Sequence, residues 1–205
     1  MTRSPSLRDA VLEVGRAVRS PEELALAWRN DRRALRVLIP VLLANAAFGV
    51  AAYGLTMGMH AGAVEMLRKA VTTPLAAGLA WSIALPALYI FGSAAGSRAS
   101  ALDTVLAAGI TVCFGAWAML ASVPVNWFFS LAIDAGESVS SGERTLLLLV
   151  NFTVFTGVGL AMFDVFHRVR HALDPESSRW GGRLWVLLLL TLGAELFFLL
   201  DVFTF

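Results

Sequence analysis

Five long apolar runs separated by short polar segments dominate the chain, at about residues 37–57, 74–95, 104–131, 145–166 and 184–203. A helix of 18 or more apolar residues can cross a hydrocarbon core about 30 Å thick. In oil each backbone N–H and C=O must be bonded within the segment, and no period-2 alternation marks a barrel, so the runs predict helices. Ahead of them, "PSLRDAVLEVGRAVR" puts Leu7, Val11, Val14 and Val18 at helical spacing among arginines and acids, which predicts an amphipathic helix. "SPEELALAWRNDRR" predicts a second, with Ser20 as N-cap, Pro21 at the first helical position, Glu23 in the reciprocal capping position, and Leu24 and Trp28 one turn apart on a shared face. These two helices either lie in the cytoplasmic interface or pack on the span ends or a partner. The expected fold is therefore all-α, an integral membrane bundle of five transmembrane helices preceded by N-terminal amphipathic helices. Residues 1–36 form the cytoplasmic or interfacial part and residues 37–205 the transmembrane domain. Eight arginines and no apolar stretch in the first 36 residues argue against a cleaved secretory signal.

Local signals refine the runs. The first span starts near Pro40, and Thr72-Thr73-Pro74 reads as a cap and first turn for the second span. "AGAVEMLRKA" before it then becomes a short interfacial turn of helix. Pro86 and Pro124 fall inside spans two and three, where each frees a carbonyl and acts as a hinge. Gly54/Gly58 and Gly92/Gly96 are small-xxx-small pairs that let helices approach closely. No internal repeat of the kind found in many transporters is visible.

Composition agrees with a lipid solvent. The chain is 58% hydrophobic and 15% charged, against about a quarter charged in soluble domains. The net charge of +1 calls for no nucleic acid or other polyanion. Placement says more than the total. With the N-terminus inside, one side holds thirteen basic residues: the eight arginines of residues 1–36, then Arg98, Arg168, Arg170, Arg179 and Arg183. The other side keeps Arg68, Lys69 and Arg144. The positive-inside rule then gives a cytoplasmic N-terminus and an external C-terminus. Fifteen arginines against one lysine, with abundant alanine, point to a GC-rich bacterial genome and so to a bacterial inner membrane. The single cysteine, Cys113, reads as a small buried hydrophobe.

Polar residues inside the runs are the candidate chemistry. Glu195 sits in "WVLLLLTLGAELFFLLDVF", roughly 18 Å deep when counted from Arg183 at about 1.5 Å per residue. An ionised carboxylate there costs several kcal/mol, so it reads either as a proton or cation site facing a cavity or as a neutral acid bridging helices. Asn45, Ser82 and Thr156 are partners at similar depth. Asp201 should emerge at the outer interface. Asn45, Asn126 and Asn151 need partners in lipid, with Asn126 placed to satisfy backbone freed by Pro124. Asp164, His167 and His171 share one helical face and carry donor types that suit zinc, with Asp174 or Glu176 as a further ligand. The ordinary reading is interfacial side chains reaching water or pairing with arginine. No phosphate-binding loop, His-Glu-x-x-His, Gly-x-Ser-x-Gly or Gly-x-Gly-x-x-Gly pattern is present, so neither an enzyme nor a cofactor is expected.

The runs "PLAAGLAWSIALPALYIFGSAAGSR" and "LLLLVNFTVFTGVGL" look like the second and fourth spans of uncharacterised bacterial proteins placed near the Yip1-like family. Five spans behind a cytoplasmic N-terminal region resemble that family's topology over most of residues 37–205. Of its Asp-Leu-Tyr-Gly-Pro motif only Tyr53-Gly54 is matched. The resemblance implies a non-enzymatic membrane protein that organises partners or bilayer shape. Its expected partners are membrane lipids and either further copies of itself or another membrane protein. The alternative reading is a small oligomeric channel or transporter with Glu195 on its path.

Overall fold

The computed structural model describes residues 7–94, 96–133, 141–175, 191, 193 and 195–200. Every regular element among them is helical: α1 (Leu7–Arg19), α2 (Pro21–Trp28), α3 (Arg32–Met57), a 3₁₀ turn (Met59–Ala61), α4 (Ala63–Ala94), α5 (Ala101–Ile133) and α6 (Ser141–Leu173). Four stretches, Arg33–Met57, Ala63–Ala94, Ala101–Ala132 and Gly142–Leu173, are long and apolar enough to cross a membrane. Of the expected fifth run, 195–199 are helical, whereas 184–190 and 201–203 lie outside the described residues.

Helices α3 and α5 form the central pair, with α4 against α3 and α6 against α5; α4 and α6 scarcely touch. The N-terminal ends of α3 and α5 and the C-terminal ends of α4 and α6 share one end of the bundle, which α1 and α2 cover. Ala10, Ala17, Leu24 and Ala25 are fully buried there against Leu35, Leu38, Leu106 and Val169, with Trp28 beside Leu24. Of the two placements open for α1 and α2, the structure shows packing on the span ends. Burying one leucine fully out of water is worth about 1.5–3 kcal/mol.

The long apolar helices meet by close backbone packing, the contact that associates helices where lipid is the solvent. A Cβ on Gly49 would lie 2.7 Å from the Ala116 carbonyl oxygen, and one on Gly54 2.5 Å from that of Lys69. On Gly58 it would meet the Met66 nitrogen at 2.5 Å. The pair Gly54/Gly58 is therefore the seat of α4 on α3. The second expected pair does not behave alike: Gly92 is buried under Arg170, whereas Gly96 (φ +85°) sits in the turn after α4.

Three local expectations are corrected. The second span starts at Ala63 and not at Thr72-Thr73-Pro74, because the backbone contacts at Gly54 and Gly58 hold the preceding turns helical and the chain runs on through Pro74. The first long helix likewise opens at Arg32, with Pro40 inside it, whereas Pro86 and Pro124 lie within α4 and α5 as expected. The Ser20 hydroxyl makes no capping bond, although Pro21 does open α2; side-chain capping appears instead at Asp31, which accepts from the Arg33 and Ala34 N–H groups at 3.0 Å.

Candidate functional site

At the end of the bundle away from α1, the polar side chains gather into a buried seam. The Tyr53 hydroxyl donates to Asn151 Oδ1 at 2.9 Å, tying α3 to α6, and Asn151 Nδ2 donates to the Leu147 carbonyl at 2.8 Å. Asn126 Nδ2 donates to Thr56 Oγ1 at 2.9 Å, and the Ser130 hydroxyl to the Thr56 carbonyl at 3.3 Å, tying α5 to α3. Asn126 thus serves a neighbouring helix and not the backbone freed by Pro124. On α4, Lys69 is fully buried with its Nζ 3.6 Å from Glu65 Oε1. Glu65 also accepts from Arg68 Nη2 at 2.7 Å. Lys69, which the sequence assigns only to the side opposite the N-terminus, is buried within the bundle. The signal for this was present: Glu65, Lys69 and Thr73 are spaced by four on the face that Gly54 and Gly58 draw close. Two buried atoms of the seam, Thr73 Oγ1 and Asn126 Oδ1, carry no hydrogen bond to a described residue. Asn45, further along α3, accepts from the Cys113 thiol at 3.4 Å.

The α1 end carries a different set. Asp174 Oδ2 accepts from the Ser97 hydroxyl at 2.6 Å and from the Arg98 N–H at 3.0 Å, and Arg170 Nη2 donates to Ser97 Oγ at 3.1 Å. The Ser97 hydrogen bond, then the N–H groups of Arg98 and Ala99 and the Arg170 charge, hold the Asp174 carboxyl below its ordinary range. This knot pins the α4–α5 turn to the end of α6. Beside it Ser100 and Asp103 cap α5 reciprocally, and Asp103 Oδ1 lies 3.3 Å from Arg29 Nε at the end of α2.

The predicted zinc face is otherwise engaged. Asp164 accepts from Arg168 Nε at 2.9 Å, and Arg168 also holds Glu22 of α2. The exposed His167 and His171 rings stand 6.5 Å apart, edge to face. Asp174 is taken by Ser97 and Arg98, Glu176 is outside the described residues, and no group of three metal-ligating side chains forms among those described.

Glu195 lies apart from both polar sets. It is exposed and makes no hydrogen bond or ion pair with another described residue. Its proposed partners are occupied or distant: Asn45 takes the thiol, the Ser82 hydroxyl bonds the Gly78 carbonyl at 2.7 Å, and Thr156 is exposed on α6. Phe197 packs edge to face on Phe155 at 5.0 Å, near the middle of the 33-residue α6. Asp201 lies outside the described residues.

The space left between α4 and α6 is a lateral groove of 530 Å³. Ala46, Val50 and Ala116 of α3 and α5 floor it, Gly78 and Trp81 of α4 form one wall, Gly159 and Met162 of α6 the other, and Gly193 and Phe197 reach it from the last segment. At 100° per residue Glu195 lies on the far side of its helix from Gly193 and Phe197, so the carboxyl looks away from the groove. No protein-family model, curated protein or solved structure matches the chain, and its function is read from this geometry.

Proposed function

We propose that the chain is a non-enzymatic, five-span protein of a bacterial inner membrane, N-terminus inside, that works by association through its spans and its arginine-rich cytoplasmic face. This keeps the organisation that the Yip1-like resemblance implies. One observation carries it. With α1 and α2 docked by their buried alanines and Leu24, the side chains of Arg19, Arg33 and Arg36 stay exposed with no ion pair to a described residue. Val11, Leu12 and Leu26, exposed at 55%, 68% and 50%, lie on the same two helices. Exposed apolar side chains among arginines suit the boundary between headgroups and acyl chains, where each arginine near an anionic surface is worth about 1 kcal/mol.

The test is the melting temperature of the detergent-solubilised protein titrated with phosphatidylglycerol or phosphatidylcholine. Wild type should be stabilised by the anionic lipid selectively, and the Arg19→Gln/Arg33→Gln/Arg36→Gln variant should lose most of that stabilisation. Equal stabilisation of variant and wild type would overturn the reading. Substitution is the right tool here, because deleting α1 and α2 would uncover the core they bury.

The transport alternative asked Glu195 to line a cavity, and its outward aim gives that reading no support. An acid at this depth on an outer face costs more than a leucine by a few kcal/mol on insertion scales. Glu195→Leu is therefore expected to leave thermal stability in nanodiscs unchanged or raised. A fall of several degrees would reveal a partner on that face.

A further inference from the structure

We propose that α2 is a releasable strap: two ion pairs, one at each of its ends, fasten it across α5 and α6, and their loss lets it lift while α1 and the long helices stay in place. The inference does not depend on what the arginine-rich face binds. The first support is the placement of charge. Glu22, in the first turn of α2, pairs with Arg168 of α6. At the other end Arg29, the C-cap residue, has its Nε 3.3 Å from Asp103 Oδ1 of α5. A slide of α2 by one turn, about 5.4 Å, would break both pairs at once, so together they define one seating.

The second support is what remains when the strap lifts. Arg168 Nε also donates to Asp164 on its own helix at 2.9 Å, and Asp103 Oδ2 accepts from the Ser100 N–H and from its hydroxyl, each at 2.9 Å. Both bundle-side partners therefore keep a local bond after α2 lets go. Breaking a pair is costly when it strands a buried charge, and here none is stranded. Arg29 and Arg168 are 36% and 45% exposed, so water and salt reach both pairs. Exposed pairs of this kind shift an equilibrium by a few fold each, and two of them together by about tenfold.

The third support is the pair of joints. Non-helical backbone at Ser20 (φ −147°, ψ 67°) and at Asp31 (φ −105°, ψ 88°) sets α2 off from α1 and from α3. Its apolar seat is small, with Pro21, Leu24 and Ala25 the residues it buries. At 8 residues α2 is too short to hold its helix once lifted, so release exposes its amides. Helix α1 packs on α3 and α5 through Ala10, Val14 and Ala17, and its pair Arg16–Glu13 lies within the helix, so screening bears on α2 first. Leu24 and Ala25 share one apolar cluster with Leu106 of α5 and Val169 of α6. The two ion pairs thus decide whether that surface is hidden or bare.

The experiment follows hydrogen exchange of the full chain in phosphatidylcholine nanodiscs by mass spectrometry at about 0.01 M and about 1 M sodium chloride, between which the screening length falls from about 30 Å to about 3 Å. In wild type the amides of α2 should exchange about tenfold faster at the higher salt, with those of α1 and of the first turns of α5 unchanged. In Glu22→Gln/Arg29→Gln, which alters the strap alone and leaves Arg168–Asp164 and Asp103–Ser100 in place, α2 should exchange fast at both salts. A second readout is maleimide labelling of Ala25→Cys, with the buried Cys113 of the same chain as internal reference: labelling at residue 25 should rise with salt and that of Cys113 should not. Exchange of α2 in wild type that ignores salt, a double variant as salt-sensitive as wild type, or α1 opening in step with α2 would overturn the proposal.

Discussion

Gly54→Leu is expected to unseat α4 from α3 and to lower stability by about 3 kcal/mol or more. The added Cβ would stand 2.5 Å from the Lys69 carbonyl oxygen, 3.0 Å from its carbon and 3.1 Å from Thr73 Oγ1. Two of those atoms are backbone and cannot rotate away, so the helices must part. Parting them also strains the bonds on either side of Gly54, from Tyr53 to Asn151 and from Thr56 to Asn126. Steric unfolding in graded SDS or heat, followed by circular dichroism, reads the loss. Gly157→Ala is the matched control: nothing lies within 4 Å of its Cβ position, and it should be neutral or gain up to about 1 kcal/mol. A Gly54→Leu protein as stable as wild type would mean that the α3–α4 contact is not the tight seam described.

Asp174→Ala should cost about 2–4 kcal/mol at pH 7, because it strips the acceptor from Ser97 and the Arg98 N–H and leaves the half-buried Arg170 without its acid. The loss should depend on pH with a fixed sign. The folded pKa of Asp174 is below the unfolded value of about 3.9. The stabilisation is therefore complete above the unfolded pKa and disappears as pH falls through the folded one. Wild type and Asp174→Ala should differ by a constant amount from about pH 5 to 7 and converge below about pH 4. A gap that stays constant down to about pH 3 would show that the carboxylate charge is not what holds the turn.

The four long helices were legible because lipid leaves a chain so few options: a run of leucine, alanine and valine must satisfy its own backbone, and length alone then locates it. Their ends were less legible. Thr72-Thr73-Pro74 has the form of a helix start, yet the contact of Gly58 with Glu65 and Met66 extends α4 back to Ala63. Local capping preference lost to tertiary packing. Among the candidate residues, Asn151 and Asn126 do bridge helices, but their partners, Tyr53 and Thr56, sit 98 and 70 residues away and no spacing rule reaches that far. The burial of Lys69 was out of reach of charge counting, which assigns a lysine to a side of the membrane and says nothing of its contacts. Which way Glu195 faces depends on how the last segment meets α6 through Phe155 and Phe197, which no spacing in the sequence shows. The groove was hidden for a related reason. Its lining comes from separate segments, and only the separation of α4 from α6 along this stretch brings them around one space.

The lengths of α5 and α6 carry a consequence for where the protein can reside. At 33 residues each they measure about 50 Å, against a hydrocarbon slab of about 30 Å. Roughly 20 Å of each rod must be absorbed by inclination or by overhang. In a bilayer that surplus would be taken up by tilt at a modest cost per ångström, so slabs differing by several ångströms in thickness could host the same helices.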